Sequence, residues 1–208
     1  QIQQDELDEV EKVTLPRMES IAGTSNNYYL QIGHAQLAMR RTDSLKGDNL
    51  LAMQRKARSH FIRASSLRPD IPGVKDMILR LDMAMNDRRD GELHARQILR
   101  IDRRHALANY ILGSLRLQEG EYGEAEDFLR RSVESAPSSA ALNDLAEVLR
   151  RIRRFDDAER FARQSVEKSP KLYVAWETLG VIILERGGDL NEARRCIEKE
   201  ISLVKDDW

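Results

Sequence analysis

The chain has 208 residues, 41% of them hydrophobic and 33% charged, with a formal net charge of −1, so it can build a core and is too apolar for a disordered tail. An aromatic content of 5% with 11 glycines and 5 prolines argues against a turn-rich β-sandwich or barrel. The lone cysteine, Cys196, excludes an intrachain disulfide and a multi-cysteine zinc site, and the longest apolar run, Val181-Ile182-Ile183-Leu184, is far short of the roughly 20 residues that span a bilayer.

The first two dozen residues are acidic (Asp5, Glu6, Asp8, Glu9, Glu11), which does not suit a signal peptide. The opening Gln1 suggests a piece of a longer protein. Leu7, Val10 and Val13 have helical spacing, Pro16 is expected to break or kink the segment near Thr14, and Met18 and Ile21 could cover the face that follows. Further on, Arg41 to Gly47 reads as a loop and Asn49 to Leu67 as a helix capped by Asp48. Ala108, Ile111, Leu112 and Leu115 trace one helical face, which Gly120 ends; Ala125, Phe128, Leu129 and Val133 form the next, closed by Pro137. Leu142, Leu145, Ala146 and Leu149 make a stripe, and Ala158, Phe161, Ala162 and Val166 make its partner, opened by Asp156 and Asp157. Val174, Leu179, Ile182 and Ile183 precede a Gly187-Gly188-Asp189 turn. Leu190, Ala193, Ile197, Ile201 and Val204 then mark a final helix.

These elements repeat. Pro69, Arg103, Pro137 and Pro170 recur in one register; so do Ala57, Gly91, Ala125, Ala158 and Ala193, and also Leu79, Gly113, Ala146 and Gly180. The intervals are 33 to 35 residues, and a fixed period of that length is the mark of a repeat array. Glycine inside a helix costs about 1 kcal/mol against alanine. Gly113 and Gly180, with Ala146 between them in the register, therefore read as points where helices pass close together.

The pattern resembles the tetratricopeptide repeat, a helix–turn–helix unit with small residues at its eighth, twentieth and twenty-seventh places. Tyr29, Ile32 and Gly33 match the fourth, seventh and eighth places of a first unit, which Ala57, Phe61, Ala64 and Pro69 complete. Trp176, Leu179 and Gly180 match the same three places of the last. Arg103 stands where proline is expected, Gly91 where alanine is, and Asn109 where an aromatic is, so the second unit is degenerate. The resemblance implies an all-α, right-handed superhelical solenoid of antiparallel helix pairs. Its divisions are an N-terminal helical cap at 1–25, a first unit at 26–71 with a long inter-helix insertion, and units at 72–105, 106–138, 139–172 and 173–208, the last without a solvating helix.

Catalytic patterns do not emerge. The histidines His34, His60, His94 and His105 sit in no His-Glu-x-x-His context, and no phosphate-binding glycine loop or Gly-x-Ser-x-Gly elbow occurs. His94 and His105 are expected at the surface, and Cys196 as a small buried hydrophobe. No enzyme activity, cofactor or metal is expected. Arginine pairs occur at 40–41, 88–89, 103–104, 130–131, 150–151, 153–154 and 194–195, and arginine suits phosphates. Acidic side chains are interleaved with them and the total charge is near zero, so nucleic acid is not expected.

In the resembled family the inner helices line a concave groove. The positions carried over are Leu30, His34, Leu37, Asp76, Arg80 and Met83, then Leu107, Tyr110, Ser114 and Leu117, then Asn143, Glu147, Arg150, Arg151, Glu177, Val181 and Leu184. This mixed surface suits an extended peptide or a partner helix, held by apolar anchors and oriented by charge. Leu30, Asp76, Tyr110, Asn143 and Glu177 supply no lysine where chaperone adaptors of the family grip a carboxylate, which excludes such a clamp. The expected function is a non-catalytic protein-interaction scaffold within a larger protein, with a protein or peptide partner and no direct membrane contact. The alternatives are self-association through Ile197, Ile201, Val204 and Trp208, as in membrane-tethered or secretion assemblies, or regulation of a catalytic domain elsewhere in the parent chain.

Overall fold

The structure is a computed structural model that describes residues 9–17 and 27–206. Every regular element among them is helical, and no helix is long and apolar enough to cross a membrane. The chain divides into two compact units, residues 1–94 and 95–208.

The first unit begins with a helical segment at 9–17 that is widened over Val10–Thr14, where the Leu15 amide donates to the Val10 carbonyl five residues back. Of the break or kink expected near Thr14, the break is absent, and the helix is instead irregular up to Thr14. The segment continues through Arg17, with the widened turn placed just ahead of the proline. Leu15 is 2% exposed and packs on Leu30 and Leu37. Leu7, Met18 and Ile21 lie outside the described residues.

Helix α1 (Tyr28–Arg40) is capped by Asn27, whose Oδ1 accepts from the Tyr29 and Leu30 amides at 2.9 and 3.4 Å. A short 3-10 turn (Arg41–Ser44) follows where a loop was expected. Helix α2 (Gly47–Leu67) then starts earlier than Asn49, and Asp48 lies inside its first turn instead of capping it. A carboxylate there still offsets the positive end of the helix dipole. Helix α3 (Pro72–Ala84) has proline at its first position, where a missing N–H removes no hydrogen bond. The start of α4 (Arg88–Ile101) completes the unit. Ala35, Ala38, Ala57, Phe61, Ala64, Val74, Ile78 and Leu81 form its core.

In the second unit, the rest of α4 is followed by α5 (Ala106–Glu119), α6 (Tyr122–Ser135), α7 (Ser139–Arg151), α8 (Phe155–Lys168), α9 (Tyr173–Arg186) and α10 (Leu190–Asp206). They pair as hairpins α5/α6, α7/α8 and α9/α10, and α5 touches α7 as α7 touches α9. This leaves α5, α7 and α9 as one layer, with α6, α8 and α10 behind them. The core between the layers includes Leu129, Leu145, Leu149, Ile182 and Ile183, all at most 1% exposed. Gly120 ends α5 at φ +80°, a left-handed conformation that a β-carbon resists. The close crossing expected at Gly113 is present. A β-carbon built there would lie 2.6 Å from Leu129 Cγ, and one at Gly180 would meet Ile197, Ala193 and Cys196 at 3.2–3.3 Å. Cys196 is buried and free, and burial pushes its thiol pKa up. Asn109, placed where the repeat favours an aromatic, is also buried and bonds the turn ahead of α5. Its Nδ2 donates to the carbonyls of Arg103 and His105, each at 3.0 Å.

Candidate functional site

Each unit has a set of expected binding positions. In the first, α1 presents Leu30, His34 and Leu37 on one stripe, but Leu30 and Leu37 are only 1% and 6% exposed. They were expected on an open groove wall. The N-terminal segment covers them through Leu15, a tertiary contact the repeat pattern does not encode. His34 stacks on His60 with ring centroids 4.9 Å apart, and His60 Nδ1 lies 2.8 Å from Gln31 Oε1. Burial, reinforced by the neighbouring His34, lowers the His60 pKa to about 4, which fits a neutral His60 imidazole in this stack. On α3, Arg80 and Met83 are exposed and Asp76 is half-buried.

The first unit also holds an ion network that the sequence reading missed. The Asp82 carboxylate is fully buried, bonded by Arg58 Nη1 at 2.7 Å and within 2.7 Å of His94 Nδ1. Arg58 also reaches Asp87 and Asp90, each at 3.0 Å. His94 is therefore not the plain surface residue expected but a partner of a buried charge. His105 likewise is half-buried at the N-cap of α5, where its Nδ1 accepts from the Ala108 amide at 3.3 Å.

In the second unit the layer α5, α7 and α9 brings the remaining positions side by side. Leu107, Tyr110, Ser114 and Leu117 are half-buried along α5. On α7, Asn143 is buried, Glu147 and Arg150 are half-buried, and Arg151 is exposed. On α9, Glu177 and Leu184 are exposed and Val181 is half-buried.

The chemistry of this layer is concentrated around Asp144, a residue sequence reasoning passed over. Burial pushes its carboxyl up to about 6, even though Ser114 and Asn143 side chains bond it, and Glu147 pushes the same way. Burial, with the nearby Asp144 charge, raises Tyr110 to about 12. The Asn143 Oδ1 is buried and, among the described residues, has no hydrogen-bond partner. An unmet acceptor of this kind costs on the order of 1–3 kcal/mol until a donor arrives.

Arg150 is a strut and not a free cation. It bonds Glu147 through Nε and Nη2 at 2.8 and 2.7 Å, and reaches Glu185 on α9 at 2.6 Å. Arg151 bonds the same Glu147 at 2.7 Å. Burial would raise Glu147, but these guanidinium bonds outweigh it and hold its pKa below the usual carboxylate value. Among the described residues no group of three metal-ligating side chains occurs.

Comparison with known proteins agrees with this geometry. Residues 77–140 match one tetratricopeptide repeat family model and residues 139–173 another. No curated protein matches the sequence. Among solved structures, MamA from Desulfovibrio magneticus RS-1 (residues 41 to its end) is 16% identical with a TM-score of 0.64, over 86% of this chain and 96% of that one. YrrB, described as a TPR protein with an unusual peptide-binding site, is 16% identical with a TM-score of 0.62, over 91% and 92%. Yeast Tom70 is also 16% identical, with a TM-score of 0.60, over 91% of this chain and 38% of Tom70. Residues 77–173 thus carry tetratricopeptide repeat matches, and the all-α fold is that of tetratricopeptide repeat proteins, which generally serve as protein-interaction scaffolds.

Proposed function

We propose that the α5–α7–α9 layer of the second unit is a non-catalytic binding face for an extended peptide or a partner helix. The observation that carries this reading is the unsatisfied Oδ1 of Asn143, whose side chain bonds the same Asp144 carboxyl that Ser114 bonds and Tyr110 lies near. A backbone or side-chain N–H from a bound segment would complete that acceptor, while Leu107 and Leu117 offer apolar contact. The Arg150–Glu147–Glu185 strut would hold α7 and α9 in register, so the face is preformed and binding should need little backbone movement. The test is to select peptides from a random library on the native chain. Tyr110→Ala and Asn143→Leu should each weaken the selected peptides about tenfold or more while thermal melts show an intact fold. Equal binding by both variants would overturn the reading, as would hydrolase, transferase or nucleotide-binding activity of the chain itself.

Self-association through α10 is a second reading, favoured by Ile201, which is 47% exposed on that helix. Sedimentation should then show association that Ile201→Glu abolishes, and a strict monomer at high concentration rejects it.

A further inference from the structure

The second unit has another concavity, on the side away from the α5–α7–α9 layer. A cleft of about 680 Å³ opens between the C-terminal half of α4 and α6, with Leu112 of α5 beneath it. Its apolar lining is Leu99, Leu112 and Phe128. Arg96, Arg100, Arg103 and Arg131 surround that lining, and no carboxylate is among the residues that form it.

Three of these arginines, Arg100, Arg103 and Arg131, have no acidic partner among the described residues. Several arginines of the next outer helices are, by contrast, neutralised. Arg163 bonds Glu159 and Glu192 at 2.7 and 2.8 Å, Arg130 and Arg154 both reach Glu126, and Arg154 also meets Asp157. The corresponding cleft between α8 and α10, about 520 Å³, contains Glu167 and Glu192 beside its basic residues. Around the first cleft, by contrast, Arg100, Arg103 and Arg131 pair with no carboxylate among the described residues; Arg131 instead lies over the Phe128 ring, 5.7 Å from its centroid. Three uncompensated guanidinium groups facing one apolar floor form a site that is electrostatically incomplete. The volume is in the range that accommodates a few side chains of a ligand.

We propose that this cleft binds an acidic peptide segment carrying one apolar anchor. Carboxylates would take the planar forks of Arg100, Arg103 and Arg131, and the anchor would rest on Leu99, Leu112 and Phe128. A single-stranded nucleic acid fits less well. The Phe128 face that a base would stack on already carries Arg131. A polyanion must also run beyond the cleft, and the second unit, residues 95–208, has no net positive charge to hold it, with 21 acidic against 20 basic side chains. This site is separate from the α5–α7–α9 face, so its test does not depend on that reading.

The experiment measures fluorescence anisotropy of a labelled, end-blocked Asp-Glu-Leu-Asp-Glu peptide on the full chain. Asp-Glu-Gly-Asp-Glu and a short oligouridylate serve as competitors. The leucine peptide should bind about tenfold more tightly than the glycine peptide and outcompete the oligouridylate. Arg100→Glu combined with Arg131→Glu, both exposed positions, should weaken it about a hundredfold at low salt with the circular dichroism melt unchanged. Arg194→Glu, on α10 outside the cleft, should leave binding as it was. No binding, equal affinity for the two peptides, preference for the oligouridylate, or the same loss in Arg194→Glu would each overturn the proposal.

Discussion

Replacing Gly113 by alanine tests the close crossing of α5 and α6 directly. The added methyl would sit 2.6 Å from Leu129 Cγ, 3.0 Å from its Cδ2 and 3.1 Å from its backbone nitrogen. Leu129 has no exposed surface into which to swing, and its amide moves only if α6 moves. Overpacking of a filled core costs about 1–3 kcal/mol. Removing a glycine from a helix returns about 1 kcal/mol. The net expectation is a loss of up to about 2 kcal/mol in the second unit. Gly123→Ala is the matched control, because nothing lies within 4 Å of a β-carbon there; it should be neutral or gain up to about 1 kcal/mol. Urea unfolding followed by the fluorescence of Trp176, which packs against this core, reads the difference. A Gly113→Ala protein as stable as the native one, with Gly123→Ala behaving alike, would refute the argument that the helices are held this close.

Asp144→Asn should stabilise the chain at neutral pH. A carboxyl whose pKa rises from 3.8 to about 6 on folding supports the fold below pH 3.8, and that support is lost as pH rises through 6. The shift corresponds to roughly 3 kcal/mol at most, so urea midpoints of variant and native chain should diverge between pH 4 and 7. The opposite sign applies to His60. Its pKa falls from 6.5 to about 4, so its contribution is present above 6.5 and lost as pH falls towards 4; its imidazole resonances should not titrate by NMR above pH 5. Asp82→Asn should cost the first unit about 3 kcal/mol, the low end for breaking a buried pair, because Arg58 keeps Asp87 and Asp90. A thermal melt unchanged by that substitution would show that the pair is not a net support.

The architecture was legible because each repeat has to solve the same packing problem with the same residue sizes. Gly113, Ala146 and Gly180 mark crossings, and a small residue at a crossing leaves a trace in one-dimensional spacing. Charge leaves no such trace. The adjacent arginine pairs at 150–151 and 153–154 look like free cations in the sequence, yet Arg150, Arg151 and Arg154 are tied to Glu147, Glu185, Glu126 and Asp157. Glu126 and Glu185 lie about a repeat away along the chain, so counting neighbours in sequence could not reveal the pairing. Asp82 was invisible for the same reason, with its partners on α2 and α4. Leu30 and Leu37 were misjudged because the register assigns them to a groove wall, and only the three-dimensional placement of Leu15 shows that they are covered.

The hairpin arrangement of the second unit also has a mechanical meaning. Among the described residues, the extensive helix contacts of α5 to α10 join immediate or next neighbours, and that of α10 is with α9. A force applied at that helix would therefore peel the unit one hairpin after another, each step releasing about the same length of chain. Under load the unit would behave as a row of weak links in series, yielding progressively where a sheet clamped by distant strands would hold and then snap.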